Sequence, residues 1–98
     1  MGSPQFKISQ DSEGIFRIDG ELTIHDIENL KSFLDDHLSR AKKISLDLGK
    51  VSYADTASLQ LLIAFRKALK AEIEWEVTEL SPEMDMILNV SGLKEALV

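Results

Sequence analysis

Two hydroxyl side chains and a carboxylate lie together where a long apolar run begins. In the segment DLGKVSYADTASLQLL, residues 47–62, Asp55 is followed at once by Thr56, and Ser58 comes two residues later. A carboxylate at the start of a helix accepts hydrogen bonds from the free N–H groups of the first turn. A hydroxyl at the same place is a candidate nucleophile or a candidate phosphorylation site. The pattern therefore leaves a cap, a catalytic hydroxyl and a switch as alternatives.

The hypothesis of a phosphorylation switch rests on Thr56. It occupies the first position of the predicted helix, where free N–H groups and the helix dipole favour a phosphate. Phosphorylation would add a charge of about −1.5 to −2 beside Asp55, which would repel it. The modified and unmodified states would then differ in their electrostatic field. Helix capping is the commoner use of such residues, so the residues alone leave both alternatives open.

A catalytic hydroxyl would require a histidine base and an acid within reach. The chain has two histidines, His25 near the start of the first predicted helix and His37 on the charged face of that helix. Neither histidine has the spacing of a metal site or a marked partner acid, and the chain contains no glycine-rich phosphate-binding motif. We therefore expect no enzymatic activity, no metal site and no cofactor.

Hydrophobic periodicity and turn residues predict the elements that position these groups. Thr23 and Asp26 have the spacing of a capping box at the first helix. Ser81 and Pro82 are typical of a helix start, and Gly92, which is free to take a positive φ, is typical of a helix end. The predicted strands are 6–10, 15–19, 43–48 and 72–79; the predicted helices are 26–40, 56–71, 81–92 and a last turn within 93–98; residues 49–54 are predicted as a connection.

The element order is β-β-α-β-α-β-α, which predicts an α/β fold. Strands separated by helices imply parallel, right-handed crossovers, and the opening hairpin adds an antiparallel strand. We expect one domain over residues 1–98, built as a small mixed sheet with helices packed mainly on one face. Residues 1–4 are expected to lie outside the folded part, as a disordered segment or a remnant of cloning.

The predicted helix 56–71 carries more apolar residues than one face of a surface helix requires. Burial is the expected reason for most of them. The part of this helix around Thr56, Gln60 and Leu61 is expected to form a docking patch for a partner.

Composition excludes several classes of function. The chain of 98 residues has a formal net charge of −6, and an acidic surface repels a phosphate backbone, so we do not expect a nucleic-acid partner. The absence of cysteine excludes disulfides and thiolate chemistry and fits a reducing compartment. No apolar run approaches the roughly 20 residues that span a bilayer, so we expect a cytoplasmic location without membrane insertion.

Five short motifs make the chain resemble the STAS domain family. They are GEL at 20–22, LDL at 46–48, V-x-x-x-D-T-A-S-L-x-x-L at 51–62, SPEM at 81–84 and SGL at 91–93, in the family's order and spacing. The resemblance implies a four- to five-stranded sheet backed by helices. The short chain is similar to single-domain anti-sigma factor antagonists, whose hydroxyl residue after the motif aspartate is phosphorylated by a kinase-type anti-sigma factor.

In this chain the corresponding phosphoacceptor is Thr56. The resemblance implies that the unphosphorylated form binds the anti-sigma factor and that phosphorylation breaks the complex. Ser58 stands where the family often has glycine, and it offers a possible second acceptor. The predicted partner-binding residues are Asp55, Thr56, Ser58, Gln60, Leu61, Glu21 and Thr23.

Two other branches of the family have the same D-T pair. One is the cytoplasmic STAS subunit of a lipid-asymmetry ABC transporter, in which the threonine region contacts an ABC ATPase. The other contains STAS regulators linked to chemotaxis-type histidine-kinase systems, to which ELTIHD and DTASLQLL are similar. The sequence thus identifies the family more firmly than it identifies the binding partner.

Overall fold

The computed structural model describes residues 5–38 and 42–98, without the side chains of residues 37 and 38. The predictions for residues 1–4, for the last predicted turn of the first helix and for the His37 side chain lie outside this part. The strands are β1 (Phe6–Gln10), β2 (Phe16–Leu22), β3 (Lys43–Ala54) and β4 (Glu74–Leu80). The helices are α1 (Ile27–Phe33), α2 (Thr56–Ala68), α3 (Pro82–Ser91) and α4 (Lys94–Leu97), with a 3₁₀ turn at Ile24–Asp26 and a π-helical segment at Leu34–Leu38.

The four strands form one mixed sheet in the order β1-β2-β3-β4. β1 and β2 form the predicted antiparallel hairpin, whereas β2 with β3 and β3 with β4 are parallel. The helical segments between the parallel strands are the crossovers that the element order predicted. Since β2, β3 and β4 run in the same direction, their carboxyl ends point toward the same edge of the sheet, where ligands and partners bind in open α/β sheets.

One face of the sheet packs against the helices. On β3, Ile44, Leu46 and Leu48 are fully buried, as period-2 alternation predicts. The helices contribute buried side chains to the same core, namely Leu30, Leu34, Leu59, Leu62, Ile63, Met84, Leu88 and Leu97. The opposite face is polar and includes the ion pair between Arg17 Nε and Asp47 Oδ2 at 2.9 Å. The mixed sheet with helices mainly on one face is confirmed.

β3 is longer than predicted, because residues 49–54 are strand and not a connection. Two register shifts along the β2–β3 pair absorb extra residues on β3, one of them Ser52 between Val51 and Tyr53. Such bulges interrupt the strict alternation that identifies a strand in sequence. Pairing with β2 nevertheless continues to Ala54, which lies opposite Leu22.

The predicted capping box at the first helix is wrong. The Thr23 side chain makes no capping hydrogen bond, and the Asp26 carboxylate accepts instead from the backbone N–H of Gln5 at 2.8 Å. Asp26 therefore fastens the start of β1 to the turn before α1. The chain enters α1 through the 3₁₀ turn, where Asp26 N donates to Thr23 O at 3.0 Å.

The start and end signals of α3 are confirmed. Ser81 Oγ accepts from Met84 N at 3.0 Å and donates to Val51 O at 2.5 Å, while Pro82 occupies the first turn. Gly92 ends the helix with φ of +74°. Within the described residues, no helix is both long enough and apolar enough to cross a bilayer.

Candidate functional site

The candidate site lies at the carboxyl ends of β2 and β3. These strands end side by side, with Leu22 opposite Ala54, and each leads directly into helical structure. The N–H of Asp55 donates to Leu22 O at 3.0 Å, which extends the pairing by one step beyond the strands. The first turn of α2 and the turn after β2 are thereby held next to each other.

The Asp55 carboxylate bonds to both segments. Its Oδ1 accepts from the N–H of Ser58 in the first turn of α2 at 2.9 Å, which confirms Asp55 as the helix cap. Its Oδ2 accepts from the N–H of Ile24 at 2.7 Å. Ile24 lies 31 positions earlier in the sequence, so this second bond makes Asp55 a tertiary link as well as a cap.

The two hydrogen bonds also control the ionisation of Asp55. Partial burial by itself would raise the pKa of Asp55, but hydrogen bonds from Ser58 and Ile24, together with the electrostatic effect of His25, outweigh it, and the pKa lies below its ordinary value of 3.8. Hydrogen bonds donated to the charged form favour that form. His25 adds a smaller effect of the same sign. Asp55 is consequently a carboxylate at neutral pH.

Thr56 is exposed at the first position of α2. At the first two helical positions, here Thr56 and Ala57, the backbone N–H groups have no intrahelical acceptor. The positive end of the dipole of this 13-residue helix lies at the same place. The position thus combines a solvent-accessible hydroxyl with donors and a field that favour an anion.

The other two hydroxyl groups at this junction are buried. Ser58 has no exposed surface, and the Oγ of Ser58 and the Oγ1 of Thr23 have no hydrogen-bond partner within the described part of the chain. A kinase acts only on a hydroxyl that it can reach. The burial therefore argues against Ser58 as a second acceptor, and against Ser58 and the Thr23 hydroxyl as direct partner contacts.

The remaining predicted partner-binding residues are accessible to different degrees. Glu21 and Gln60 are exposed, and Leu61 is half-buried against the core. Glu21 lies opposite Tyr53 in the β2–β3 pair. Among the described residues, no group of three or more histidine, aspartate or glutamate side chains is placed to hold a metal ion.

The sequence prediction missed two apolar residues at this edge. Ile24 is 58% exposed in the turn after β2, and Tyr53 is 47% exposed near the end of β3. Ile24 lies before the predicted start of the first helix at residue 26, so the predicted elements gave it no place in the core, and this was the available signal. No comparable signal existed for Tyr53, because the bulge at Ser52 decides which way it faces.

Residues 3–97 of the sequence match the family model described as "STAS domain". This match covers nearly the whole chain. The chain belongs to the STAS domain family.

Solved structures agree with this STAS assignment. An anti-sigma factor antagonist from Mycobacterium paratuberculosis superposes with a TM-score of 0.77 at 16% identity, covering 99% of this chain and 87% of that one. The antagonist SpoIIAA in its unphosphorylated form gives 0.69 at 18% identity, covering 95% and 85%. The Bacillus SpoIIAA in its phosphorylated form gives 0.62 at 19% identity, covering 95% and 88%. Identities this low establish a common fold.

Proposed function

We propose that this STAS domain is a phosphorylation-switched binding module. In its unmodified state it binds a kinase-type anti-sigma factor or a related signalling regulator through the edge of the sheet around Thr56. The partner phosphorylates Thr56, and the phosphate ends the complex. In this proposal the domain supplies the acceptor hydroxyl and the binding surface, and the partner supplies the catalysis.

One observation carries the proposal: of the three hydroxyl residues gathered around Asp55, Thr56 alone is exposed. The names of the structural relatives support it. They describe anti-sigma factor antagonists, one of which has been solved in phosphorylated and unphosphorylated forms.

The geometry suggests how a phosphate at Thr56 would act. Both oxygens of the Asp55 carboxylate already accept hydrogen bonds, so Asp55 stays charged beside the new group. The free N–H groups of Thr56 and Ala57 can hold phosphate oxygens at the helix start. The added charge of about −1.5 to −2 would therefore be accommodated by the domain itself, while a partner surface that fits a small neutral hydroxyl would be sterically displaced by the larger, strongly hydrated phosphate.

The test is a phosphorylation and binding assay with the purified kinase-type anti-sigma factor from the same organism. We expect that incubation with ATP modifies Thr56, as mapped by mass spectrometry, and that Thr56→Ala removes the modification. Ser58→Ala should still be phosphorylated, because the buried Ser58 hydroxyl is not the acceptor. In a biosensor assay, Thr56→Glu should weaken binding by at least about tenfold, since its larger charged side chain would have to be desolvated at an interface that fits a small neutral hydroxyl.

Ser12→Glu is the matched control. It adds the same charge at an exposed position in the β1–β2 turn, at the opposite edge of the sheet. Binding by this variant should equal that of the wild type. Unmodified Thr56 together with undiminished binding by Thr56→Glu would refute the proposal. Stoichiometric copurification with an ABC ATPase and membrane subunits, with Thr56 unmodified, would instead identify a transporter component.

A further inference from the structure

Two large apolar side chains lie exposed beside the proposed switch. Ile24 donates its N–H to the Asp55 carboxylate, and Tyr53 precedes Asp55 by two residues. Their side chains are 58% and 47% exposed, respectively. Single exposed apolar residues are common on protein surfaces, but two that border the same junction call for a reason.

Both residues are held in place by the backbone around them. Ile24 starts the 3₁₀ turn and is fixed by the 2.7 Å hydrogen bond to Asp55 Oδ2. Tyr53 lies in β3, paired with β2 opposite Glu21. A tyrosine presents a large contact area with few rotatable bonds, so little conformational entropy is lost when it binds. Side chains carried on a fixed backbone in this way are suited to serve as anchors at an interface.

The charged side chains around the two residues are mostly acidic. The segments 20–26 and 53–60 contain Glu21, Asp26 and Asp55, contain neither lysine nor arginine, and have His25 as their one basic residue. The chain as a whole has a formal net charge of −6. A partner surface that covers this edge would be matched electrostatically by lysine and arginine side chains around an apolar centre.

We infer that Ile24 and Tyr53 are the apolar anchors of partner docking, and that the partner is a kinase-type signalling regulator presenting an apolar pocket with a basic rim. We call these two side chains the Ile24–Tyr53 patch. The inference rests on the proposed function and names the contacts that give it affinity. The patch supplies short-range binding, and the carboxylates favour the approach of a basic surface. A phosphate on Thr56 would disturb the short-range contacts, because it would have to be desolvated beside apolar anchors.

The chain provides a matched control within its own surface. Met86 and Val90 on α3 are 61% and 85% exposed, so they are at least as accessible as the patch. They belong to a different element, outside the two acidic segments. A partner that merely adhered to exposed apolar groups would depend on them equally.

The experiment measures binding of the same purified kinase-type anti-sigma factor to immobilised variants of the full chain. Ile24→Thr and Tyr53→Thr remove apolar surface. Threonine keeps the β-branched shape of isoleucine at position 24 and is readily accepted in a strand at position 53. Each substitution should raise the dissociation constant by about tenfold or more, as truncation of an interface anchor does. Met86→Gln and Val90→Gln should stay within about twofold of the wild type, and circular dichroism should show unchanged folding for all four.

A salt series tests the basic rim separately. Raising the salt concentration from about 0.05 to 0.5 M should slow association of the wild type, because screening removes long-range attraction. Glu21→Lys should slow it already at low salt. Association that is insensitive to salt and to this variant would overturn the basic rim.

The outcomes separate this inference from the proposed function. If Thr56→Glu abolishes binding while Ile24→Thr and Tyr53→Thr bind as the wild type does, the patch is refuted and the switch stands. If the α3 variants weaken binding as much as the patch variants, docking is not localised to the patch, and the inference is refuted. If the wild type does not bind the kinase at all, the proposed function fails, and the inference that depends on it fails with it.

Discussion

The Asp55 carboxylate joins two segments that the sequence separates by 31 positions. One oxygen caps α2 and the other holds the N–H of Ile24. Both acceptor atoms are used, so an asparagine cannot replace this side chain without loss. Its amide nitrogen is a donor and would face one of the two N–H groups.

We therefore predict that Asp55→Asn lowers the free energy of unfolding at pH 7 by about 1–2 kcal/mol. Because the pKa of Asp55 is lower in the folded state than its ordinary value of 3.8, the unfolded state binds more protons in acid. The difference between wild type and variant should thus be complete above pH 3.8. It should shrink as the pH falls below that value and through the lowered pKa.

Urea denaturation of both proteins over a range of pH values measures this difference. Glu28→Gln, which removes an exposed carboxylate from α1, is the control for a lost charge. A difference between wild type and Asp55→Asn that stays constant into strong acid would show that the ionised carboxylate is not the source of the stabilisation.

At the scale of elements, the close approach of β1 to β2 depends on Gly20, which lies opposite Phe6. Gly20 lies within β2 with φ of +119°, and a Cβ at this position would approach the Gln5 carbonyl oxygen to 2.3 Å. That oxygen accepts from the N–H of Glu21 at 2.9 Å. A side chain at Gly20 would force β1 away from β2 at the end nearest the candidate site.

Gly20→Ala should accordingly lower the free energy of unfolding by at least about 2 kcal/mol, from backbone strain and the clash together. Gly92→Ala is the matched control, since it also has a positive φ but a Cβ there would meet no atom within 4 Å. Its cost should be limited to about 1 kcal/mol of backbone strain. Equal costs for the two variants in thermal or urea denaturation would show that the close approach to Gln5 contributes nothing.

The region where β2 and β3 end shows what the sequence could and could not predict. The cap at Asp55 and the start of α3 were predictable because a side chain bonds to a backbone group three residues away. The tertiary role of Asp55, the burial of Ser58 and the exposure of Tyr53 were not. The role of Asp55 and the exposure of Tyr53 depend on the register between distant strands, which the bulge at Ser52 shifts, and the burial of Ser58 depends on how α2 packs on the core.

At the scale of the whole molecule, the candidate site and the contacts that hold α4 against the sheet lie at opposite ends of β3. Trp75 pairs with Ile44 near the start of β3, ten positions before Ala54, which corresponds to roughly 30 Å along the strand. Its indole Nε1 donates to the Leu97 carbonyl oxygen at 2.7 Å and so fastens α4 to β4. Arg66 on α2 reaches the same segment through Ala96 O at 2.8 Å.

If the proposed switch operates, this separation implies that it acts at the surface and leaves the fold unchanged. Thr56→Glu should then weaken partner binding by at least about tenfold, while the fluorescence of Trp75, the single tryptophan of the chain, remains that of the wild type. The free energy of unfolding of the Thr56→Glu variant should differ from that of the wild type by no more than about 0.5 kcal/mol, because attraction of the new carboxylate to the helix dipole and its repulsion from Asp55 oppose each other. Leu97→Ala is the contrasting variant, since loss of a fully buried leucine beside Trp75 should cost about 2–5 kcal/mol and shift the emission. A shifted Trp75 emission in Thr56→Glu would mean that the added charge changes the structure of the core. It would refute the prediction that the fold is unchanged.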